Sequence, residues 1–254
     1  QGLTSARLAL TLALASDPAW AGLVAGAVPD PVSWTGPAAE LAAVGLEDEA
    51  ARSYPHRFPR ATPADLAWSA RTLAFWGNGQ AALDCGERLW ERLGVPASLV
   101  PEALRSLILP PELVGGCVAA AQPRSLPASW LVGVVRQESR FDAGARSAAG
   151  AVGLAQLVPE TLQRLGMDTS AAGQAAVSLQ VAASELARLA AAFGGRLAPA
   201  AAAYNAGDPV VLAWSGALGD SRSEVLFAAA VPYRETSTYV LKVIEGEALA
   251  AHLR

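Results

Sequence analysis

Residues 125–141, SLPASWLVGVVRQESRF, hold the pattern from which the fold is read. Ser125 and Pro127 are helix start signals, a hydroxyl for an open amide and a ring that needs none. Leu131, Val134 and Val135 then recur at the spacing of one helical face, and Glu138 falls on that face. An acid on an apolar stripe has two readings. Either it lies at a fraying helix end and reaches water, or burial penalises its charged form and leaves it a proton to donate near neutral pH. The helix alone does not choose between them.

The same texture continues upstream. Thr62-Pro63-Ala64-Asp65 offers an N-cap hydroxyl, a proline at the first helical position and an acid in the first turn. That helix places Leu66, Ala70 and Leu73 on one stripe and ends at Gly77. The next carries Leu83, Trp90 and Leu93 and stops at Gly94-Val95-Pro96. Shorter helices are predicted from Pro101 to Ile108 and from Glu112 to Ala120, separated by Pro110-Pro111. With Ala and Leu dominant and β-branched runs short, an all-α protein is expected, with strands scarce or absent. After Gln122 the loops turn rich in Ser, Gly and Asn, so a helical N-terminal or linker region is expected over 1–121 and a second domain over 122–254. The tryptophans at 20, 34, 68, 76 and 90 keep no constant period and are read as core rather than as sugar platforms.

Composition narrows the classes. The chain has 254 residues, 52% hydrophobic and 17% charged, which suits a packed globule and not a disordered chain. The apolar stretch Leu8 to Ala15 is about half of the roughly 20 residues a membrane span needs. With no initiator Met, the numbering is expected to begin after a trimmed leader or at an engineered boundary. Net charge is −4 and Lys242 is the one lysine, so no basic stripe suits nucleic acid. Two cysteines, Cys85 and Cys117, and two histidines, His56 and His252, make neither a zinc knuckle nor a redox pair, and no metal or cofactor is expected. The thiols either pair or sit apart as small buried hydrophobes; the second reading is favoured.

Three further segments accompany Glu138. In SAAGAVGLAQLVP, Ser147 to Pro159, Gly150 and Gly153 allow close backbone approach and Gln156 brings a donor and an acceptor. In AAYNAG, Ala202 to Gly207, a hydroxyl and an amide close a short helix beside an aromatic surface suited to a sugar ring. In VPYRETSTYV, Val231 to Val240, Glu235, Thr236 and Tyr239 open the last helix, whose apolar face includes Val240, Val243 and Ile244. Each alone is common in turns and caps.

Taken in this order, the four segments resemble the soluble lytic transglycosylases. The catalytic domain of that family has a goose-type lysozyme-like fold with a Glu-Ser pair, a GLMQ-P loop, an AYNAG turn and a YxETxxYV helix. The resemblance spans Pro127 to Glu245; the preceding region is only loosely similar to that family's superhelical and linker domains. It implies a lysozyme-like α-helical catalytic domain preceded by an irregular helical one. It also implies that Glu138 is the catalytic acid, Ser139 its partner, and that Ser147, Gln156, Tyr204, Asn205, Glu235 and Tyr239 bind or orient substrate. Three positions depart: Ala155 replaces Met and is expected to leave a smaller wall beside the sugar, Ser178-Leu179 replaces Asn-Ile, and Ser237 replaces Arg.

The resemblance implies cleavage of peptidoglycan between N-acetylmuramic acid and N-acetylglucosamine by one carboxyl acting as acid and then as base. The sugar's own 6-hydroxyl attacks and closes a 1,6-anhydro ring. Asp142, Glu160, Asp208 and Glu235 are the other carboxylates considered, since ordinary glycosidases use two. The rivals are a lysozyme-like hydrolase, in which water attacks, and a non-catalytic glycan-binding scaffold. Glycan strands are the expected partner, cell-wall assembly proteins are possible ones, and the periplasm or cell envelope is the expected location.

Overall fold

The computed structural model describes residues 63–253 apart from 76, 165, 169, 171–172 and 219–222, together with 40–41, 44 and 49. Thr62, His56, Trp20, Trp34, Trp76 and the stretch Leu8 to Ala15 lie outside the described residues. Among those described, every regular element is a helix, and the β-type pairings are the isolated bridges Arg146 with Val152 and Val152 with Leu157. The all-α expectation holds. No helix among these residues is long and apolar enough to cross a membrane.

Contacts group the chain into two compact units, Gln1–Leu113 and Val114–Arg254. The first contains α1 (Pro63–Phe75), α2 (Gly79–Leu93) and α3 (Glu102–Ile108). The stripe Leu66, Ala70, Leu73 of α1 is buried. Asn78 caps α2 by accepting the Ala81 N–H at 3.1 Å, and Gly94, with φ 62°, ends it in the left-handed conformation that suits glycine. The buried side of α2 holds Leu83 and Leu89; Trp90 and Leu93 are half-buried, so the stripe is rotated from the predicted one. Trp90 satisfies its indole N–H on the Val95 carbonyl at 2.6 Å. The half-buried Trp68 and Trp90 fit core packing better than open platforms.

The dividing point falls inside α4 (Pro111–Ala121), ahead of Gln122. The second unit continues with α5 (Ala128–Ser139), α6 (Pro159–Arg164), α7 (Ala175–Ala192), α8 (Leu197–Ala206), α9 (Asp208–Leu218), α10 (Glu224–Ala230) and α11 (Arg234–Ala250). Helix α8 is its hub. Every residue from Leu197 to Ala203 is buried, and α7, α9, α10 and α11 all pack against it. Five alanines and a proline in that run keep its surface thin, so four neighbours fit around it.

Helices α5 and α11 form the most extensive pair. A Cβ on Gly133 would stand 2.5 Å from the Val243 carbonyl oxygen, and one on Gly246 would stand 2.8 Å from Gly133 Cα. The two backbones therefore touch where neither has a side chain. Gly133 faces Gly246 while Glu138 meets Tyr239. Pairing thus runs in opposite senses along the two helices, which makes them antiparallel. Cys85 and Cys117 are both free and buried, and burial pushes each thiol up to about 12, so both stay protonated. The favoured reading of two separate apolar thiols holds.

Candidate active site

The last turn of α5 delivers Glu138 to a groove of about 660 Å³. Leu131, Val134 and Val135 behind it are buried, so the carboxyl emerges from the apolar stripe that its spacing predicts. Burial pushes its pKa up from 4.5 to about 7. One interaction opposes this: the Tyr239 hydroxyl donates to Glu138 Oε1 at 2.7 Å, which favours the ionised form. Desolvation is the larger effect. Removal from water and the nearby Glu138 charge also hold the Tyr204 and Tyr239 phenols well above the usual tyrosine range, so both hydroxyls remain donors.

Because the Tyr239 bond favours the charged carboxylate, Tyr239→Phe is expected to raise the Glu138 pKa above its present value. A bond of about 1.4 kcal/mol corresponds to about one pH unit. Carboxyl NMR titration of Glu138 in both proteins checks it; an unchanged or lower midpoint would refute the balance described.

The loop from Ser147 to Pro159 is held from three directions. Ser139 Oγ donates to the Leu154 carbonyl at 2.8 Å, Tyr204 donates to the Ala155 carbonyl at 3.1 Å, and Ser178 Oγ accepts the Ala155 N–H at 3.2 Å. These come from α5, α8 and α7, so one dipeptide locks the loop to three helices. Gln156 sits at φ 47°, uncommon for a residue with a side chain, and its amide nitrogen donates to the Ala145 and Gly153 carbonyls. Strain also follows α5, where Arg140 and Phe141 have φ of 53° and 62°. Such positions persist only where surrounding packing enforces them. Ser178 is fully buried, so Ser178→Ala strands a buried N–H and is expected to cost about 2 kcal/mol, read from the urea midpoint.

This arrangement corrects the expectation for Ala155. With both its backbone groups pinned inward it is fully buried and lies beneath the groove, so its small side chain does not form the wall beside a bound sugar. Ser178, where the resemblance leads one to expect Asn, supplies the hydroxyl that holds it.

Among the predicted site residues, Ser147, Gln156, Tyr204 and Asn205 line the groove with Glu138. The exposed Ser147 accepts the Ala151 N–H at 3.1 Å and keeps its hydroxyl proton for another acceptor. Asn205 accepts from the Thr236 hydroxyl at 2.8 Å, leaving its amide NH2 toward solvent. Ser139 and Tyr239 are not among the lining residues of this groove; they act on it through Leu154 and Glu138. Glu235 is exposed on a neighbouring depression of about 460 Å³ formed with Gln137, Asn205, Arg234, Thr238 and Tyr239. Asn205 borders both spaces. Of the other carboxylates considered, Glu160 and Asp208 line the groove, whereas Asp142 is exposed and accepts the Gly144 N–H in a local turn.

Sequence reasoning missed Glu185, Arg188 and Arg164, which line the same groove. Arg188 grips Glu185 through Nε at 3.1 Å and Nη2 at 2.8 Å and reaches Asp208 through Nη1 at 3.0 Å, while Arg164 Nη2 reaches Glu185 at 3.3 Å. The Arg188 guanidinium holds the Glu185 carboxyl below its ordinary range. Glu185 and Arg188 are three apart on α7, a pattern normally read as a solvated surface pair. Nothing local signals that α6 and α9 close around it. No group of three or more possible metal ligands occurs among the described residues.

Comparison with known proteins agrees with this architecture. The transglycosylase SLT domain model matches residues 117–227. The soluble lytic murein transglycosylase of Escherichia coli (strain K12) is 29% identical over 133 residues, covering 49% of this chain and 21% of that protein. A putative soluble lytic murein transglycosylase of Haemophilus influenzae is 30% identical over 164 residues, covering 61% of this chain and 28% of that protein. Among solved structures, an inactive mutant of the lytic transglycosylase Slt from Pseudomonas aeruginosa superposes with a TM-score of 0.63 at 27% identity, over 85% of this chain and 35% of that one. The chain thus spans about a fifth to a quarter of the length of these curated relatives. The match of residues 117–227 to the transglycosylase SLT domain model, with these relatives, bears out the resemblance read from the motifs.

Proposed function

We propose that this protein is a peptidoglycan lytic transglycosylase in which residues 122–254 form the catalytic domain and Glu138 is the single acid and base. The observation that carries the reading is one carboxyl, raised to about 7, beside a sugar-sized groove. Protonated, Glu138 donates to the glycosidic oxygen as the bond from the N-acetylmuramic acid anomeric carbon to that oxygen breaks. Ionised, and stabilised by the Tyr239 hydroxyl, it takes the proton of the 6-hydroxyl as that oxygen bonds to the anomeric carbon. The proton balance closes and Glu138 returns to its starting state.

Two features favour this route over a two-carboxylate hydrolysis. Glu185 and Asp208 are held by Arg188 as hydrogen-bond acceptors, which suits them poorly to accept a proton or attack a sugar. Glu160 stands on the short helix α6, exposed to solvent, with no apolar surround of the Glu138 kind. Ser147, Gln156, Tyr204 and Asn205 bind or frame the glycan; Ser139 and Tyr239 position the loop and the acid. Glu235 serves the neighbouring depression across Asn205. The substrate places the protein in the periplasm or cell envelope, with glycan strands as its partner and wall-assembly proteins as candidate recruiters.

Mass analysis of muropeptides released from purified peptidoglycan tests the reaction. Anhydro ends are expected. Reducing ends would make it a hydrolase, and binding without release would make it a scaffold.

A further inference from the structure

The two ends of α5 open on different spaces. Its last turn carries Glu138 to the groove, whereas its first turn, roughly 13 Å back along the helix axis, borders a second cavity of about 670 Å³. That cavity matches the groove in size and lies in the range of small-ligand sites. It belongs wholly to the second unit, where the start of α5 meets α4 and the end of α11. Helix α5 begins there with no side-chain cap. The Trp130 N–H turns back to the Pro127 carbonyl at 3.0 Å, while the Ala128 and Ser129 amides have no partner among the described residues. Ser129 gives an independent sign of a ligand. It lines the cavity and is only 5% exposed, yet its hydroxyl makes no hydrogen bond among the described residues. Nor is that oxygen sealed within the core, so it opens on the cavity. A buried hydroxyl left without a partner costs stability, which a bound polar group would restore.

The charges around the cavity narrow what it holds. The open amides at the positive end of α5 disfavour a cation. The half-buried Glu247, contributed by α11, disfavours an anion. A neutral ligand suits both, provided it has an acceptor for the amides and Ser129 and hydroxyls for the carboxylate. The half-buried Trp130 ring, with Val118 and Leu126, adds an apolar surface for it to lie on. An N-acetylated sugar brings an acetamide carbonyl, free hydroxyls and an apolar ring face together. We propose that this cavity is a non-catalytic binding site for an N-acetylhexosamine unit. The acetamide carbonyl accepts from the first turn of α5, the hydroxyls donate to Glu247, and the ring lies on Trp130. The site is separate from Glu138, and it stands or falls without the lytic reading.

Titration of the whole chain with tri-N-acetylchitotriose, followed by amide and indole NMR, tests the site. Saturable shifts are expected at the Ala128 and Ser129 amides and the Trp130 indole, with a Kd on the order of 1 mM. Binding in the groove is read separately, at the Gln156 and Tyr204 amides. Ser129→Ala should weaken binding at the start of α5 about 5-fold and leave binding in the groove unchanged. Its Tm should be equal to the parent's or higher, since the hydroxyl removed has no partner. A serine that served only the fold would show the reverse, a lower Tm with affinity intact. Trp130→Ala should weaken the site about 10-fold and Trp130→Phe less. Should Trp130→Ala fail to fold, Ser129→Ala still decides. Chitotriose stripped of its acetyl groups should bind about 10-fold more weakly, because the amides then lack their acceptor. Shifts confined to the groove, or an unchanged affinity in Ser129→Ala, would overturn the site. Equal saturation of Ala128, Ser129 and Trp130 by the deacetylated trimer, by acetate or by leucine would overturn the assignment to an N-acetylated sugar.

Discussion

Glu138→Gln is expected to lower release of anhydromuropeptides from purified peptidoglycan by roughly 10²–10⁴-fold while the protein stays folded. Glutamine keeps the shape and can still accept the Tyr239 hydrogen bond, yet it has no proton to give the leaving oxygen and no charge with which to take one back. A stability measurement separates this chemical loss from misfolding, because the two states of Glu138 differ in their cost to the fold. Its folded pKa of about 7 lies above the ordinary 4.5, so the folded state holds the proton more tightly than the unfolded chain. Below about pH 4.5 the carboxyl is neutral in both states and carries no penalty. As pH rises toward 7 the unfolded chain ionises first, stability falls, and above 7 the full cost remains. The Gln variant lacks that slope. At pH 8 it should exceed the parent by about 2 kcal/mol, after allowance for the partial exposure of the carboxyl, and at pH 4 the two should coincide. Activity retained within a few-fold would reject Glu138 as the acid; equal stabilities at pH 8 would reject the buried carboxyl.

The second large effect concerns the α5–α11 crossing. Gly133→Ala is expected to destabilise the second unit by about 3 kcal/mol, a fall of roughly 10 °C in its melting transition. Two influences oppose each other here. Alanine is the better helix former by about 1 kcal/mol. Its Cβ, however, would lie 2.5 Å from the Val243 carbonyl oxygen and 3.1 Å from the Glu247 nitrogen, and both belong to backbone. A helix cannot yield there without moving away from its partner. That movement also separates Glu138 from Tyr239, so activity should fall with stability. Gly115→Ala in α4 is the internal control. A Cβ there meets nothing within 4 Å, so the propensity gain alone remains and slight stabilisation is expected. Calorimetry of both variants decides the point; a neutral Gly133→Ala would mean that the crossing relaxes at no cost.

Local patterns carried much of this molecule. The stripe Leu131, Val134, Val135, Glu138 is a matter of helical period, while the hydration that the carboxyl loses depends on what packs over that end of the helix. Helix ends at Gly94 and Gly207 likewise follow from residues beside them, since a backbone with φ of 62° or 87° favours glycine. The motif order from Glu138 through Gln156 and Tyr204 to Tyr239 was legible for the same reason, each motif being contiguous.

What sequence alone determined is therefore the helical class, the acid on an apolar stripe and the set of short motifs around it, because each depends on residues within one or two turns of one another. Only the tertiary structure decided which partners those residues take. It put Ala155 beneath the groove, Glu235 in the neighbouring depression, and Glu185 between two arginines from different helices. Those placements depend on how closely α5 approaches α11 and how α6, α7 and α9 converge. Such approaches are set by side-chain volumes summed across a whole core, and no spacing along the chain records them.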